Sequence, residues 1–172
     1  VAMASSGLHS NGYSLVRRVL LTDAGLRLDS HVDELGRTLG EELLEPTRVY
    51  ACDALALIGG VEVHAMSHIT GGGLANNLAR VLPETVTARL ERGSWRPPAV
   101  FDLVQRLGQV SQPDLEATLN MGVGMVGLVP AEAADAAVRL LTERGVPAWV
   151  CGELVAAGPE QRRVVLSGSH KS

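Results

Sequence analysis

With 172 residues and a mass of 18.1 kDa, the chain has room for one ordinary domain or two very small ones. Hydrophobic residues make up 46% and charged ones 20%, a globular composition that excludes a disordered or fibrous chain. Fifteen basic against nineteen acidic residues leave a net charge of −4, and aromatics are only 3%, which argues against phosphate-backbone binding and against a base-stacking platform.

Asn11-Gly12 precedes Tyr13, Val16, Val19 and Leu20, a 3.6-residue stripe that predicts a helix ending at Gly25. Residues 38–44 read as a short helix stopped before Pro46, with Thr47 a candidate cap for a second helix over 48–58 closed by Gly59-Gly60. Residues 61–69 alternate and carry β-branched ends, so they predict a strand. Gly71-Gly72-Gly73 opens a short helix to about Leu82, before Pro83. A strand follows over 86–90, a helix from Pro97-Pro98 through Leu107, and one or two helical turns over 114–119. Residues 121–129 form an apolar strand and 131–144 an amphipathic helix with acidic residues early and arginines late. Strands over 148–155 and 163–166, joined by a turn at Gly158-Pro159, close the chain. The class is α/β or α+β, a mixed sheet with helices packed on it, in a single domain over 1–172. No strand is predicted before the first loop, residues 4–12. A site-like loop at the very start suggests a piece of a longer polypeptide.

Fourteen of the fifteen basic residues are Arg, and the sole Lys is Lys171. That excludes an internal Schiff-base lysine and a P-loop. Cys52 and Cys151 are too few for a disulfide framework, so both are expected to be buried, reduced thiols. No leader or membrane-length apolar run is visible, so the chain is expected to be cytoplasmic, with no membrane and no nucleic acid among its partners.

Two stretches carry candidate chemistry. In the first loop, Ser10, Asn11 and Gly12 with His9 offer hydroxyl, amide and imidazole groups to an anion at a helix N-terminus; plain capping by Ser10 or Asn11 is the simpler reading. His68, Thr70, Gly71, Gly72 and Gly73 form a strand–glycine–helix junction, whose free backbone N–H groups make a nest for phosphate or carboxylate. His68 adds a proton donor or acceptor. Asn120 is a further candidate amide, or simply a turn residue. Arg80 reads better as solvated, and His31 and His170 as surface histidines. Two motifs are rejected. Gly122-Val-Gly124-Met-Val-Gly127 lies inside a strand, not between a strand and a helix, so it is no dinucleotide fingerprint. His64 and His68 are about 13 Å apart along a strand, too far to share a metal, so no metal site is expected.

Three segments, residues 6–17, 43–50 and 68–74, resemble the C-terminal half of the phosphoribosylformylglycinamidine cyclo-ligase (AIR synthetase) family; Asn120-Met-Gly-Val-Gly-Met125 and Ala148-Trp149 with Gly152-Glu153 fit its later strands. The resemblance implies an AIR synthetase C-terminal-type fold with a split β-α-β core. It also implies a purine-synthesis ligase that converts formylglycinamidine ribonucleotide and ATP to aminoimidazole ribonucleotide, ADP and phosphate. His9 and His68 would then be catalytic; Ser10, Asn11, Gly12, Thr70, Gly71, Gly72, Gly73 and Asn120 would bind substrate or phosphate. ATP and Mg2+ would be held mainly by the family's N-terminal domain, which this chain does not show, with no cofactor bound by the chain itself. That domain and formylglycinamidine ribonucleotide are the implied partners, in a homodimeric full-length enzyme that leaves the isolated domain inactive. Asn76-Asn77 stands where the family usually has Glu-Asn, which removes the carboxylate at 76. Related ATP-dependent enzymes (formylglycinamidine ribonucleotide synthetase, selenophosphate synthetase) and a non-catalytic binding or oligomerisation module are the alternatives.

Overall fold

The segment before the first loop is not irregular. In the computed structural model, which describes residues 1–158 and 162–171, Ala2–Ala4 forms a strand, β1, inside a four-stranded sheet. Three residues are too few to show alternation, and it is the neighbours that make them a strand. Ala2 pairs with Val126 on one side and Trp149 on the other, both antiparallel, and Ala2 and Met3 are fully buried.

The sheet runs β4 (Ala65–His68), β6 (Val123–Leu128), β1, β7 (Ala148–Trp149). A second sheet has β5 (Val86–Glu91) between β8 (Gly152–Ala156), antiparallel to it, and β9 (Val164–Ser167), parallel to it. The mixed character predicted for one sheet therefore belongs to this second sheet. The strand predicted over 148–155 divides at 150–151 so that each part joins a different sheet. The 61–69 strand shortens to Ala65–His68, although His64 N–H still donates to Leu128 O. A ribbon of β2 (His31–Val32) and β3 (Arg37–Thr38) was not predicted. The turn at Gly158-Pro159 lies partly outside the described residues.

Helix α1 (Tyr13–Arg17) continues as a wider π turn over Arg18–Asp23. α2 (Leu39–Leu43) starts from a capping box in which Thr38 and Glu41 satisfy each other's backbone N–H. α3 (Ala51–Gly60) begins later than predicted and keeps both glycines, because Gly60 gives way to Leu140: a Cβ there would lie 2.4 Å from Leu140 Cδ1. α4 (Gly73–Ala79), α5 (Ala99–Gly108), α6 (Gln112–Thr118, capped by Ser111) and α7 (Ala134–Glu143, entered through a 3-10 turn at Ala131–Ala133) complete the set.

Three apolar clusters hold these elements. Leu74 and Leu78 of α4 pack with Ala2, Val123 and Val126 of the first sheet and Ala88 and Leu90 of the second, so α4 joins the sheets. Leu57 of α3 and Leu141 of α7 cover Val1 and Met3. The third cluster gathers α1, α5 and α6 around Leu20, Phe101 and Leu115. Each is mainly aliphatic, as the composition demands, with one buried aromatic apiece, Trp95, Phe101 and Tyr50.

A partly buried ion pair secures the second sheet to α6. Arg92 Nε and Nη2 donate to Glu116 at 2.6 and 2.8 Å while Nη1 donates to Leu166 O of β9. His170, predicted at the surface, is largely covered: its ring stands edge-on to Trp95 at 4.8 Å, and its Nε2 lies 3.4 Å from Glu116. Burial by itself raises the Glu116 carboxyl, but hydrogen bonds from Arg92 and Gln112, with the neighbouring His170 and the charge of Arg92, outweigh it and hold the group well below the usual carboxylate range. A depressed folded value stabilises fully above the ordinary value of 4.5 and is lost as pH falls below it. Glu116→Gln is therefore expected to cost about 2 kcal/mol at pH 7 by exchanging a charge-assisted pair for a neutral amide, and to flatten the fall of melting temperature below pH 4.5. Thermal melts between pH 3 and 7 check both; an unchanged acid slope in the variant would mean that other carboxylates set it.

Candidate active site

Three loops converge at one end of the first sheet, beyond the C-terminal ends of β1 and β4: residues 5–12 between β1 and α1, 44–50 between α2 and α3, and 68–73 at the end of β4. Their contacts are direct. Ser6 Oγ donates to Pro46 O at 2.7 Å, and the Ser10 and Thr47 hydroxyls are 3.2 Å apart. Tyr50 joins all three, its ring centroid 6.1 Å from that of His9 and 6.0 Å from that of His68. The glycine turn adjoins the first loop too, since a Cβ on Gly71 would come 3.9 Å from Asn11 Oδ1. These are the segments that carry the family resemblance, and the fold brings them together.

Neither Ser10 nor Asn11 caps α1. The cap position is Gly12, left-handed at φ 68°, with no side-chain cap hydrogen bond. Gly12 is required for space as well, because a Cβ there would lie 2.2 Å from Leu119 Cδ2. Thr47 likewise caps no helix and meets Ser10 instead. The simpler capping reading fails, and Asn11 keeps a side chain with no hydrogen-bond partner among the described residues.

The glycine turn divides in function. Gly72 (φ 99°) and Gly73 (φ 73°) are left-handed, and a Cβ on Gly73 would sit 1.7 Å from Glu116 O, so Gly73 is there to let α4 meet α6. Asn77, buried one turn into α4, donates Nδ2 to Thr70 O, Gly71 O and Gly73 O, and accepts from Thr70 Oγ1 at 3.1 Å. Thr70's hydroxyl is thus engaged inside the protein. Gly71 and Gly72 N–H donate to no group among the described residues, which leaves the nest open at its outer side.

Asn120 is not a ligand amide exposed in a turn. It is completely buried and saturated: Nδ2 donates to Gly7 O (2.9 Å) and Leu8 O (3.2 Å), while Oδ1 accepts from Ser5 Oγ and Gly122 N–H. Its function is to fix the first loop against the start of β6. The glycines of the 122–127 motif are packing glycines: Gly124 lies where a Cβ would meet Tyr50 Oη at 1.7 Å. Cys151 is buried as expected, but Cys52 is exposed on α3.

The two histidines have different environments. His9 is 4% exposed and left-handed at φ 57°. Its Nε2 accepts from Ser6 N–H at 3.1 Å, so the neutral ring carries its proton on Nδ1, which is buried without a partner. Burial first, then the charges of His68 and Arg48, lower its pKa to about 4. Near neutral pH His9 is therefore an uncharged donor. His68 is exposed at the end of β4, with its ring edge-on to that of Tyr50. Tyr50 is buried, donates to Ala4 O at 2.7 Å, and has its phenol pushed up by burial against the opposing effect of Arg48. Arg48 Nε is a second buried donor without a partner. Arg48, Tyr50 and Asn77 were not singled out from the sequence as site residues; the first two sit in the quoted 43–50 segment, where the helical pattern hid them.

The larger of two flanking cavities, about 590 Å3 and lined by residues such as Leu78, Leu90 and Leu128, contains none of the predicted site residues. A smaller one of about 360 Å3 borders Gly72 and Asn76, with Arg92, Glu116 and His170 in its wall. No group of three or more His, Cys, Asp or Glu side chains suited to a metal ion gathers among the described residues, and no helix among them is long and apolar enough to cross a membrane.

Comparison with known proteins gives the family. The family model for AIR synthase related protein, C-terminal domain, matches residues 1–165. A Streptomyces fradiae protein provisionally named phosphoribosylformylglycinamidine cyclo-ligase is 58% identical over 173 residues, covering 99% of this chain and 95% of its own length. Phosphoribosylformylglycinamidine cyclo-ligases of Symbiobacterium thermophilum and Sorangium cellulosum are 52% and 49% identical, each over 96% of this chain. The chain spans about half the length of those two relatives, 48% and 49%.

Two outcomes are expected. Nitrogen-detected NMR should find His9 as the Nδ1-protonated tautomer with a midpoint near 4; a midpoint above 6 would disprove the burial argument. Since the folded His9 resists protonation, it destabilises the fold as pH falls from 6.5 towards 4, and a His9→Gln variant should lack that loss. Separately, Asn120→Ala strands the Leu8 carbonyl and the Gly122 N–H in the interior, while Gly7 O keeps its bond from Ser5 Oγ, and should cost about 2 kcal/mol by denaturant unfolding.

Proposed function

Because the chain belongs to the AIR synthase related family, as its C-terminal domain, we propose that it is the C-terminal half of a cytoplasmic cyclo-ligase of purine biosynthesis. Formylglycinamidine ribonucleotide and ATP would give aminoimidazole ribonucleotide, ADP and phosphate, with this chain walling the substrate cleft. What carries the reading is the meeting of residues 5–12, 44–50 and 68–73 around His9, Tyr50 and His68.

ATP supplies a phosphoryl group that makes the substrate's amide oxygen a leaving group; the substrate's own nitrogen then forms the ring C–N bond as phosphate departs. The chain's residues handle what remains. His68, exposed at the rim, takes the proton released from the attacking nitrogen. Gly71 and Gly72 N–H groups, with Ser10 and Asn11, hold phosphate oxygens of the substrate. His9 binds as a neutral Nδ1–H donor, and Arg48 supplies positive charge beside it. Thr70, Gly12, Gly73 and Asn120 position these groups. No group of three or more carboxylate, histidine or cysteine side chains suited to magnesium gathers among the described residues, so no step is assigned to a metal here. A homodimer and an inactive isolated domain complete the proposal.

The test joins this chain behind the N-terminal half of the Symbiobacterium thermophilum relative and follows ATP-dependent cyclisation. The fusion should turn over and the chain alone should not. His68→Gln in the fusion should lower kcat at least about 100-fold with its melting temperature unchanged; near-normal kcat would remove His68 from the reaction. A folded fusion inert towards this substrate would shift the reading to another ATP-dependent enzyme of the superfamily.

A further inference from the structure

Among the described residues, the large hydrophobic side chains most open to solvent cluster in one stretch of chain. Leu44 is 81% exposed, Val49 78%, Leu55 70% and Ile58 56%. Ala51, Leu55 and Ile58 recur at i, i+4 and i+7, so they share one side of α3, and Cys52 lies exposed beside them. The opposite side is accounted for: Leu57 is buried in the cluster with Leu141, and Asp53 pairs with Arg144 at 2.8 Å. Asp53 is the only charged residue of α3, so the outward side has none. A helix apolar all round is ordinarily a covered helix.

We propose that this side of α3 seats the half of the full-length relatives that the present chain does not span. Two observations choose that occupant. The Symbiobacterium thermophilum and Sorangium cellulosum relatives carry about as much chain again as the portion matched here. The apolar stretch also runs directly into the site: Pro46 and Thr47 hold the first loop, and Tyr50, the residue before α3, lies against both histidines. A domain seated on α3 therefore overhangs the His68 rim and encloses it. A second copy of this chain suits the surface less well. A ten-residue helix is about 15 Å long and about 10 Å wide, so its outer side offers on the order of 150 Å2, against about 800 Å2 per partner in a stable complex. A covalently linked half needs far less area, because linkage sets an effective concentration in the millimolar range.

Cys52 provides the probe, with buried Cys151 as the internal control. The proposal rests on the same family reading as the proposed function, but thiol labelling needs no turnover, so the two can fail separately. N-ethylmaleimide labelling, read peptide by peptide by mass spectrometry, is compared between the chain alone and the chain joined behind the N-terminal half of the Symbiobacterium thermophilum relative. Cys52 should label freely in the chain alone at every concentration and at least about tenfold more slowly in the fusion. Leu55→Glu/Ile58→Glu should restore fast labelling in the fusion. Equal rates in both proteins would overturn the proposal, as would protection in the chain alone that grows with its concentration, which would identify a second copy. The double variant also answers without the fusion. In the chain alone it should leave the melting temperature within about 3 °C of wild type; a fall of 10 °C or more would show that the face is packed within this chain and overturn the proposal.

Discussion

One buried amide governs the geometry of the site. Asn120 is sealed from water, and its Nδ2 and Oδ1 together meet four groups drawn from the first loop and the start of β6. A primary amide is the one uncharged side chain that both accepts and donates at two points each. Replacing it by a carboxylate would turn two donors into acceptors facing carbonyls; replacing it by an aliphatic chain would leave buried backbone groups unpaired. Everything the first loop presents, from the Ser6 hydroxyl on Pro46 to the His9 ring on Tyr50, is aimed by that anchor.

Burial then separates two histidines that look alike in the chain. Each lies about 6 Å from the same tyrosine ring, yet His9 is enclosed and His68 is open. Enclosure removes the charged state from His9 and fixes its tautomer through the Ser6 N–H. Under the proposed function, a ring that cannot gain a proton near neutrality would serve as a fixed donor, whereas an open ring would be free to exchange protons with solvent between turnovers. The division of roles follows from the surroundings and not from residue type.

Elements that announce themselves through local periodicity or capping were legible in the sequence. α5 shows its apolar face at Val100, Phe101, Leu103 and Val104 behind Pro98, and α6 reads as one or two turns over 114–119, although its Ser111 cap starts it at Gln112. The glycine turn and both histidines were legible as candidates, and so was their order along the chain. What stayed hidden depends on residues distant in sequence. β1 is a strand only because β6 and β7 flank it. Asn120 is an anchor only because Gly7 and Leu8 return to it from more than 110 residues away. Thr47 looked like a cap until Ser10 met it, and His170 looked solvated until the fold set it beside Trp95 and Glu116. Local chemistry names the parts, while long-range closure decides which of them face a ligand.

Backbone strain marks the same place. Three non-glycine residues among those described are left-handed, His9, Gln109 and Met121. Gln109 closes α5, an ordinary position for that conformation. The other two flank the anchor: His9 follows Leu8, whose carbonyl Asn120 holds, and Met121 follows Asn120 itself, with its own carbonyl held by Trp95 Nε1 at 2.9 Å. Such conformations cost about 1–3 kcal/mol each and persist only where surrounding contacts over-determine them. Here those contacts are the Asn120 network and the buried Trp95. The strain is thus balanced within the folded chain, so under the proposed function the loop would not have to be ordered on substrate binding. A ring-closing reaction whose nucleophile and electrophile lie in one molecule gains most from such a surface, because the remaining barrier is largely one of holding that molecule in a reactive shape.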